Sequence, residues 1–339
     1  GFQRGWLYYL ARLISFAANT VLLTDSIAYF FPIMGEGIGR LISLALTCGL
    51  LSLINILGSS ESIRSMTLFT IIKFSVLIGL IFGGFLLIGP EVIPRFDSPL
   101  PAGSDLGAAT LLLIYAFVGF EGAIVPAGEA KQPKRDMPLG LILGLVVVTI
   151  IYMLIQLVSQ AAVPTLAASS SPLLDASSAL FGSTGAVILM IGVATSVLAN
   201  LISSMFSASR ITYALALEKS LPAWFGEVSS KFLTPANSVF FFGIAAFVLA
   251  AMGSFTFLAA MTVLSRLFLF IMTCAAIPVL RPRFRDQGFF ILKGGYLIPI
   301  LGISACLWLM LQVSWTSIWL TAVLIGIGTG LYWLGKAQK

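Results

Sequence analysis

Histidine is absent from this sequence. That removes imidazole bases, histidine metal sites and the side chain that most readily changes charge near neutral pH. Charge of either sign is scarce: 9% of the 339 residues are Asp, Glu, Lys or Arg, against 59% apolar. A soluble domain carries roughly 25% charged and 45–50% apolar residues, so no water-soluble surface of this size can be built here. Cysteine is nearly missing too. Cys48, Cys274 and Cys306 each lie inside an apolar run, and no two have the spacing of a metal or redox pair; they read as small buried hydrophobes. No acidic cluster or nucleophile motif appears, so no catalytic residue, metal ligand or cofactor is expected, and the chain is not read as an enzyme. No secretory signal opens it. Residue 1 is Gly rather than Met, so a further segment is expected upstream.

Long apolar runs dominate what remains. A span needs about 20 apolar residues, and ten runs qualify: 6–31, 38–57, 65–89, 107–128, 138–162, 184–212, 237–252, 255–280, 296–313 and 315–335. Inside a bilayer these must be helices, because exposed strands would leave backbone groups unpaired. The fold class is therefore all-α integral membrane. Basic residues at 4, 64, 131–135, 210–231, 281–293 and 336–339 fall on one side of these spans, and only Arg40 and Arg95 fall on the other. The first side is cytoplasmic, which puts both ends of the chain there, in a multi-pass protein of the cytoplasmic membrane. The net charge of +6 is thus a topology signal and not a nucleic-acid one. The outer loop 163–183 is expected to carry a short helix over the outer mouth.

Ionisable groups inside a span cost at least ~2.5–3.5 kcal/mol each. Arg12 and Asp25 lie toward the ends of the first span and read as snorkelling. Lys73 lies about two turns inside the third, within TIIKFSVL. In a dry bundle interior it could lose and regain a proton near neutral pH; a snorkelling lysine is the plainer alternative. Arg266 in the eighth span keeps its charge and takes a structural ion-pair role. GLILG at 140–144 and GIGTG at 326–330 read first as ordinary helix packing and second as a dimer face. The oligomeric state stays open.

The fourth span, LLLIYAFVGFEGAIVPAGEAKQPKRDMP, is the most informative. Gly119, Gly122, Pro126 and Gly128 interrupt it around Glu121, and such residues cost about 1 kcal/mol (Gly) and 3 kcal/mol (Pro) in a helix interior. A break near 118–122 would free backbone groups at mid-depth to meet the charged ends of a small solute. Pro138 is read as the first residue of the next helix.

These residues resemble a known family. YAFVGFEGAIVPAGEAKQPKRDMP is similar to the sixth segment and following loop of the amino acid–polyamine–organocation permeases. ANLISSMFSASRITYALALEKSLPAWFGEV is similar to their eighth segment, LINILGSSESIRSMTLFTIIKFSVL to their fourth-to-fifth junction, and GWLYYLARLISFAANTVLL to the start of their third. The resemblance implies ten spans of a twelve-helix inverted-repeat fold lacking the first two. Residues 1–90 would then be the remainder of the first repeat, 107–280 the second repeat and 296–335 two C-terminal spans. It also implies secondary transport of an amino acid or related amine, by proton coupling or exchange, with no cofactor. A membrane sensor or accessory subunit that keeps the fold is the rival reading.

By the same resemblance Ala116, Phe117, Val118 and Gly119 would meet the substrate through backbone carbonyls, and Tyr115 and Phe120 would cover it. Asn200 and Ser204 would face the same cavity, with Ala17 and Asn19. Lys73 and Glu121 would serve coupling, Lys73 standing where sodium-driven relatives hold a sodium ion. Glu129 and Arg210 would pair across an inner gate.

Overall fold

A computed structural model describes residues 2–58, 62–93, 103–120, 132–169, 171–283 and 294–337. Among them are ten α-helices, one for each apolar run: α1 (Phe2–Phe30), α2 (Gly37–Leu57), α3 (Ser62–Ile88), α4 (Gly103–Phe117), α5 (Pro133–Ala162), α6 (Pro172–Leu217), α7 (Ala236–Met252), α8 (Phe255–Arg283), α9 (Leu297–Met310) and α10 (Trp315–Ala337). No strand occurs among the described residues. Seven helices are long and apolar enough to cross a membrane, and α4, α7 and α9 are shorter. At 1.5 Å per residue the three short helices reach about 21–26 Å, less than the roughly 30 Å hydrocarbon core. This is a multi-pass membrane protein.

The central helix is α1. Trp6, Tyr9, Phe16 and Ala18 are almost fully buried on it, and they pack with Leu201 and Met205 of α6, Phe242 of α7 and Leu258 and Met261 of α8. The Phe242 ring takes Tyr9 and Phe16 edge-on, at 5.9 Å and 5.0 Å between centroids. α1 has the lowest mean hydropathy of the seven long spans, 1.4, and the largest buried share; its polar residues Arg12 and Asn19 find partners on other helices, as groups in a bilayer core must.

The packing has an internal order. α1 touches α2, α6, α7 and α8; α6 touches α1, α2, α3 and α7; α2 also touches α7. Exchanging α1 with α6, α2 with α7 and α3 with α8 maps this set of contacts onto itself.

Three boundaries differ from the sequence reading. α5 starts at Pro133, not Pro138, which sits inside the helix. Pro133 already supplies the fixed φ and harmless missing N–H of a first helical residue, and the Asp136 carboxylate accepts from the Gln132 N–H at 3.2 Å. The run read as 107–128 ends as helix at Phe117, and residues 121–131 lie outside the described ones. α6 runs back to Pro172, so the short outer helix expected in 163–183 is joined to the span through Gly182, at φ 66° and ψ −158°.

That conformation is open almost only to glycine. A Cβ at Gly182 would meet nothing within 4 Å, so the backbone alone resists substitution. Gly182→Ala is expected to cost ~1–3 kcal/mol, read as a lower unfolding midpoint in detergent. An unchanged midpoint would show that the outer helix re-docks at no cost.

Candidate functional site

The site begins where α4 stops. Val118 N–H bonds back to the Tyr115 carbonyl at 3.1 Å, closing a tight last turn. Gly119 follows at φ 115°, a region that side chains with a Cβ rarely enter. The break expected near 118–122 is therefore present at its N-terminal edge. Phe120 stacks on Phe270 of α8 with centroids 6.0 Å apart. Helix ends leave carbonyls without intrahelical donors. Here Tyr152 of α5 donates its hydroxyl to the Ala116 carbonyl at 3.1 Å, and its ring meets Phe117 edge-on at 5.4 Å. One of the carbonyls assigned to the substrate thus already has a donor, with a second lone pair left over.

Tyr115, the last aromatic before the break, ties it to the rest of the bundle. Its hydroxyl donates to Asn19 Oδ1 of α1 at 3.3 Å. Asn19 Nδ2 in turn donates to Asn200 Oδ1 of α6 at 3.3 Å. Three helices far apart in sequence meet through three residues that the sequence had singled out.

Asn200 opens onto a cleft of about 200 Å³ between α3 and α6, lined by Phe69, Thr70, Lys73, Ser196, Ala199, Asn200 and Ser203. That is room for about half a dozen waters at ~30 Å³ each. Lys73 stands on its wall and is exposed, with its Nζ 5.5 Å from the Phe74 ring centroid. Among the described residues it is not in a dry interior, because α3 presents it to an open cleft and not to a packed neighbour.

A polar seam runs between α1 and α6. On α1, Tyr8, Arg12, Ser15 and Asn19 follow i, i+4, i+7, i+11 and share one face. On α6, Ser196, Asn200, Ser203 and Ser207 repeat that spacing. Asn19 meets Asn200, and Arg12 Nη1 meets Ser207 Oγ at 3.4 Å. Seven residues back on α1 match seven forward on α6, the register of an antiparallel pair. Arg12 also donates twice to the Tyr8 hydroxyl, at 2.7 Å and 3.2 Å. It is held inside the bundle by these bonds and does not snorkel. Arg266 of α8 is only 2% exposed. Its electrostatic neighbours are Arg12, Tyr8 and Tyr115.

The remaining candidates divide. Ser204 is buried beside the seam, at 6% exposure. Ala17 is fully buried in the apolar core and offers the cleft no surface. It lies two residues, about 200° of helix turn, from Asn19, so the two cannot face the same way. Arg210 donates to the Phe206 carbonyl at 2.6 Å and lies over the Phe206 ring. Glu121 and Glu129, and with them the expected Glu129–Arg210 pair, lie outside the described residues. Tyr8, Arg12, Tyr152 and Ser207 were not singled out as site residues. The repeated i, i+4, i+7 polar spacing was the signal available for three of them.

Comparison with known proteins gives the family. A family model described as amino acid permease matches residues 1–334. The chain belongs to the amino acid permease family. Its curated relatives include a branched-chain amino acid permease of Bacillus subtilis, 28% identical over 82% of this chain and 60% of the relative. A vacuolar cationic amino acid transporter of Arabidopsis thaliana is 29% identical over 82% of this chain and 49% of its own length. A cadaverine/lysine antiporter of Escherichia coli is 27% identical over 68% of this chain and 53% of its own. The chain thus spans about half to three fifths of the length of these relatives. The family and these relatives are transporters, not enzymes, and belong to the superfamily that the sequence motifs resembled.

Proposed function

We propose that this chain forms the substrate-handling part of a secondary transporter for amino acids or related amines in the cytoplasmic membrane, driven by protons or by exchange, with both ends of the chain in the cytoplasm. The observation that carries this reading is the Tyr115–Asn19–Asn200 network, which joins the interrupted end of α4 to the cleft holding Lys73. A half-helix end supplies backbone dipoles at mid-depth, and the network links those dipoles to the one amine in the cleft. A solute at the break would then act through Asn200 on the α3–α6 cleft that Lys73 lines, the kind of link between two sites that coupling requires. The packing order of α1–α3 and α6–α8 supports two inverted repeats that rock against each other around this point. The basic loops support the cytoplasmic placement of both ends.

The test is uptake of a labelled amino-acid mixture by proteoliposomes holding the full-length protein, with and without an inward proton gradient. Lys73→Met is expected to abolish the stimulation by the gradient, roughly a ten-fold loss or more, and to leave exchange of preloaded substrate largely intact. Gradient-driven uptake that survives in Lys73→Met would remove the lysine from the coupling mechanism. No uptake by folded protein under any gradient or exchange condition would count against transport itself.

A further inference from the structure

Two of the three cysteines, whose spacing marked them as unrelated small hydrophobes, meet across the α8–α9 pair. Near the end of α8, Arg281 donates from Nη1 to the Gly295 carbonyl, just ahead of α9, at 2.7 Å. The two helices pack against each other from that junction. An antiparallel pair matches residues equally far from such a junction. Seven residues back from Arg281 is Cys274, and seven on from Gly295 is Gly302. The packing keeps that register: a Cβ built on Gly302 would lie 3.2 Å from the Cys274 sulfur. The sulfur fills the notch that the missing Cβ leaves. Cys306 stands one turn beyond Gly302 on the same face of α9, and Cβ positions four apart on a helix are about 5–6 Å distant. Helical side chains lean back over the turn N-terminal to them. In an antiparallel pair that turns Cys306 toward the notch and Cys274 toward Cys306, so the two sulfurs converge. They are close enough to interact electrostatically.

No third Cys, Asp or Glu joins them among the described residues, so the pair lacks the ligands of a zinc site. Two converging thiols have another outlet, which is oxidation. Cys274 is half-buried and Cys306 is 8% exposed. The first can be reached by a reagent dissolved in the bilayer, and the second by its partner. We propose that Cys274 and Cys306 form a redox site: a lipid hydroperoxide oxidises Cys274, and Cys306 resolves the product to a disulfide. The Cys274 sulfur takes the terminal oxygen of the hydroperoxide as the O–O bond breaks, giving a sulfenic acid and a lipid alcohol. The Cys306 sulfur then displaces that oxygen, which leaves as water with the Cys306 proton. Two thiols and one hydroperoxide become one disulfide, one alcohol and one water; the sulfurs lose two electrons and the O–O bond takes them. The place of this bond gives it a consequence. Phe270, one turn before Cys274, stacks on Phe120 at the break, and Cys306 packs in one cluster with Leu111 of α4. The disulfide fastens α8 to α9 directly behind the interrupted helix. On the transport reading above, a cycle that moves α8 past α9 is halted by the bond and released by reduction.

The experiment treats the full-length protein in proteoliposomes with cumene hydroperoxide, measures initial amino-acid uptake, and digests the same vesicles for mass spectrometry. A linked Cys274–Cys306 peptide is expected, with uptake lowered at least five-fold and restored by dithiothreitol. Cys274→Ala and Cys306→Ala are expected to keep their untreated uptake after hydroperoxide, and Cys48→Ala to respond as the unaltered protein does. The linked peptide is read on the unaltered protein, so a variant that fails to fold does not remove the test. Oxidation that stops at a Cys274 sulfinic acid, or that links either thiol to Cys48 or to a second molecule, overturns the proposal. So does a protein in which neither thiol reacts. A Cys274–Cys306 bond that leaves uptake unchanged overturns the lock on transport. The bond formed in vesicles that show no uptake even before treatment counts against the transport reading and supports the redox site.

Discussion

Asn19→Leu is expected to lower the initial rate of uptake by about 10- to 100-fold. Asn19 is the shared member of the network: it accepts from the Tyr115 hydroxyl and donates to Asn200 Oδ1. Leucine keeps the volume and removes both bonds. A buried polar group left without a partner costs ~1–3 kcal/mol, and 1.4 kcal/mol is a factor of ten. Asn200 is exposed to the cleft and can turn to water, so most of the loss falls on half-buried Tyr115 and the α4 end that it holds. The effect is on function more than on stability, because the core around α1 is apolar and does not depend on this seam. Tyr115→Phe alone is expected to lose somewhat less than Asn19→Leu, and the double variant no more than Asn19→Leu, since both remove the same bond. Losses that simply add would show that the two side chains act separately, and the network would then carry no coupling. Rates measured per folded protein, by size-exclusion recovery, separate this from poor yield.

The spans were legible because the bilayer leaves so few solutions. Ten apolar runs and one-sided basic loops gave ten helices, and the break after Phe117 followed from Gly119, whose φ of 115° only glycine adopts easily. Helix ends were less legible: α5 begins at Pro133 and not at Pro138 because either proline satisfies the rule for a first helical residue, and the earlier one has Asp136 to hold the turn. The candidate site divides the same way. Asn19, Tyr115 and Asn200 came from motif resemblance, and the structure places them within hydrogen-bonding distance of one another. Ala17 came from the same resemblance, but the turn angle from Asn19 assigns it to the core. Tyr152 could not be read at all, since its bond to the Ala116 carbonyl spans 36 residues and no local pattern announces it. Arg12 was misread because position along a helix suggests snorkelling, whereas the Tyr8 and Ser207 hydroxyls, one of them 195 residues away, keep it inside.

The GIGTG run of α10 tests packing in the same spirit, because its three glycines differ only in what faces them. A side chain at Gly328 would run into the Trp6 indole, whereas at Gly326 and Gly330 a Cβ meets nothing within 4 Å. Trp6 is 2% exposed. It stacks between Phe2 and Tyr9, with centroids 6.1 Å and 5.1 Å away, and its Nε1 donates to the Leu324 carbonyl at 3.1 Å. That carbonyl lies one turn before Gly328, so the missing Cβ is what lets the indole approach the helix backbone and use the carbonyl's second lone pair. Gly328→Leu must push α10 away from α1 or drive Trp6 off its rotamer. Overpacking of this kind costs ~1–3 kcal/mol and sometimes more, and the lost indole bond adds about 1 kcal/mol. The expected result is a fall in unfolding midpoint well beyond that of Gly182→Ala. Gly326→Leu and Gly330→Leu should leave the midpoint unchanged or raise it slightly, because leucine is a better helix former than glycine by close to 1 kcal/mol. Equal destabilisation by all three would mean that the outward face of α10 is itself a packed surface, covered in the membrane by a further helix or a second molecule.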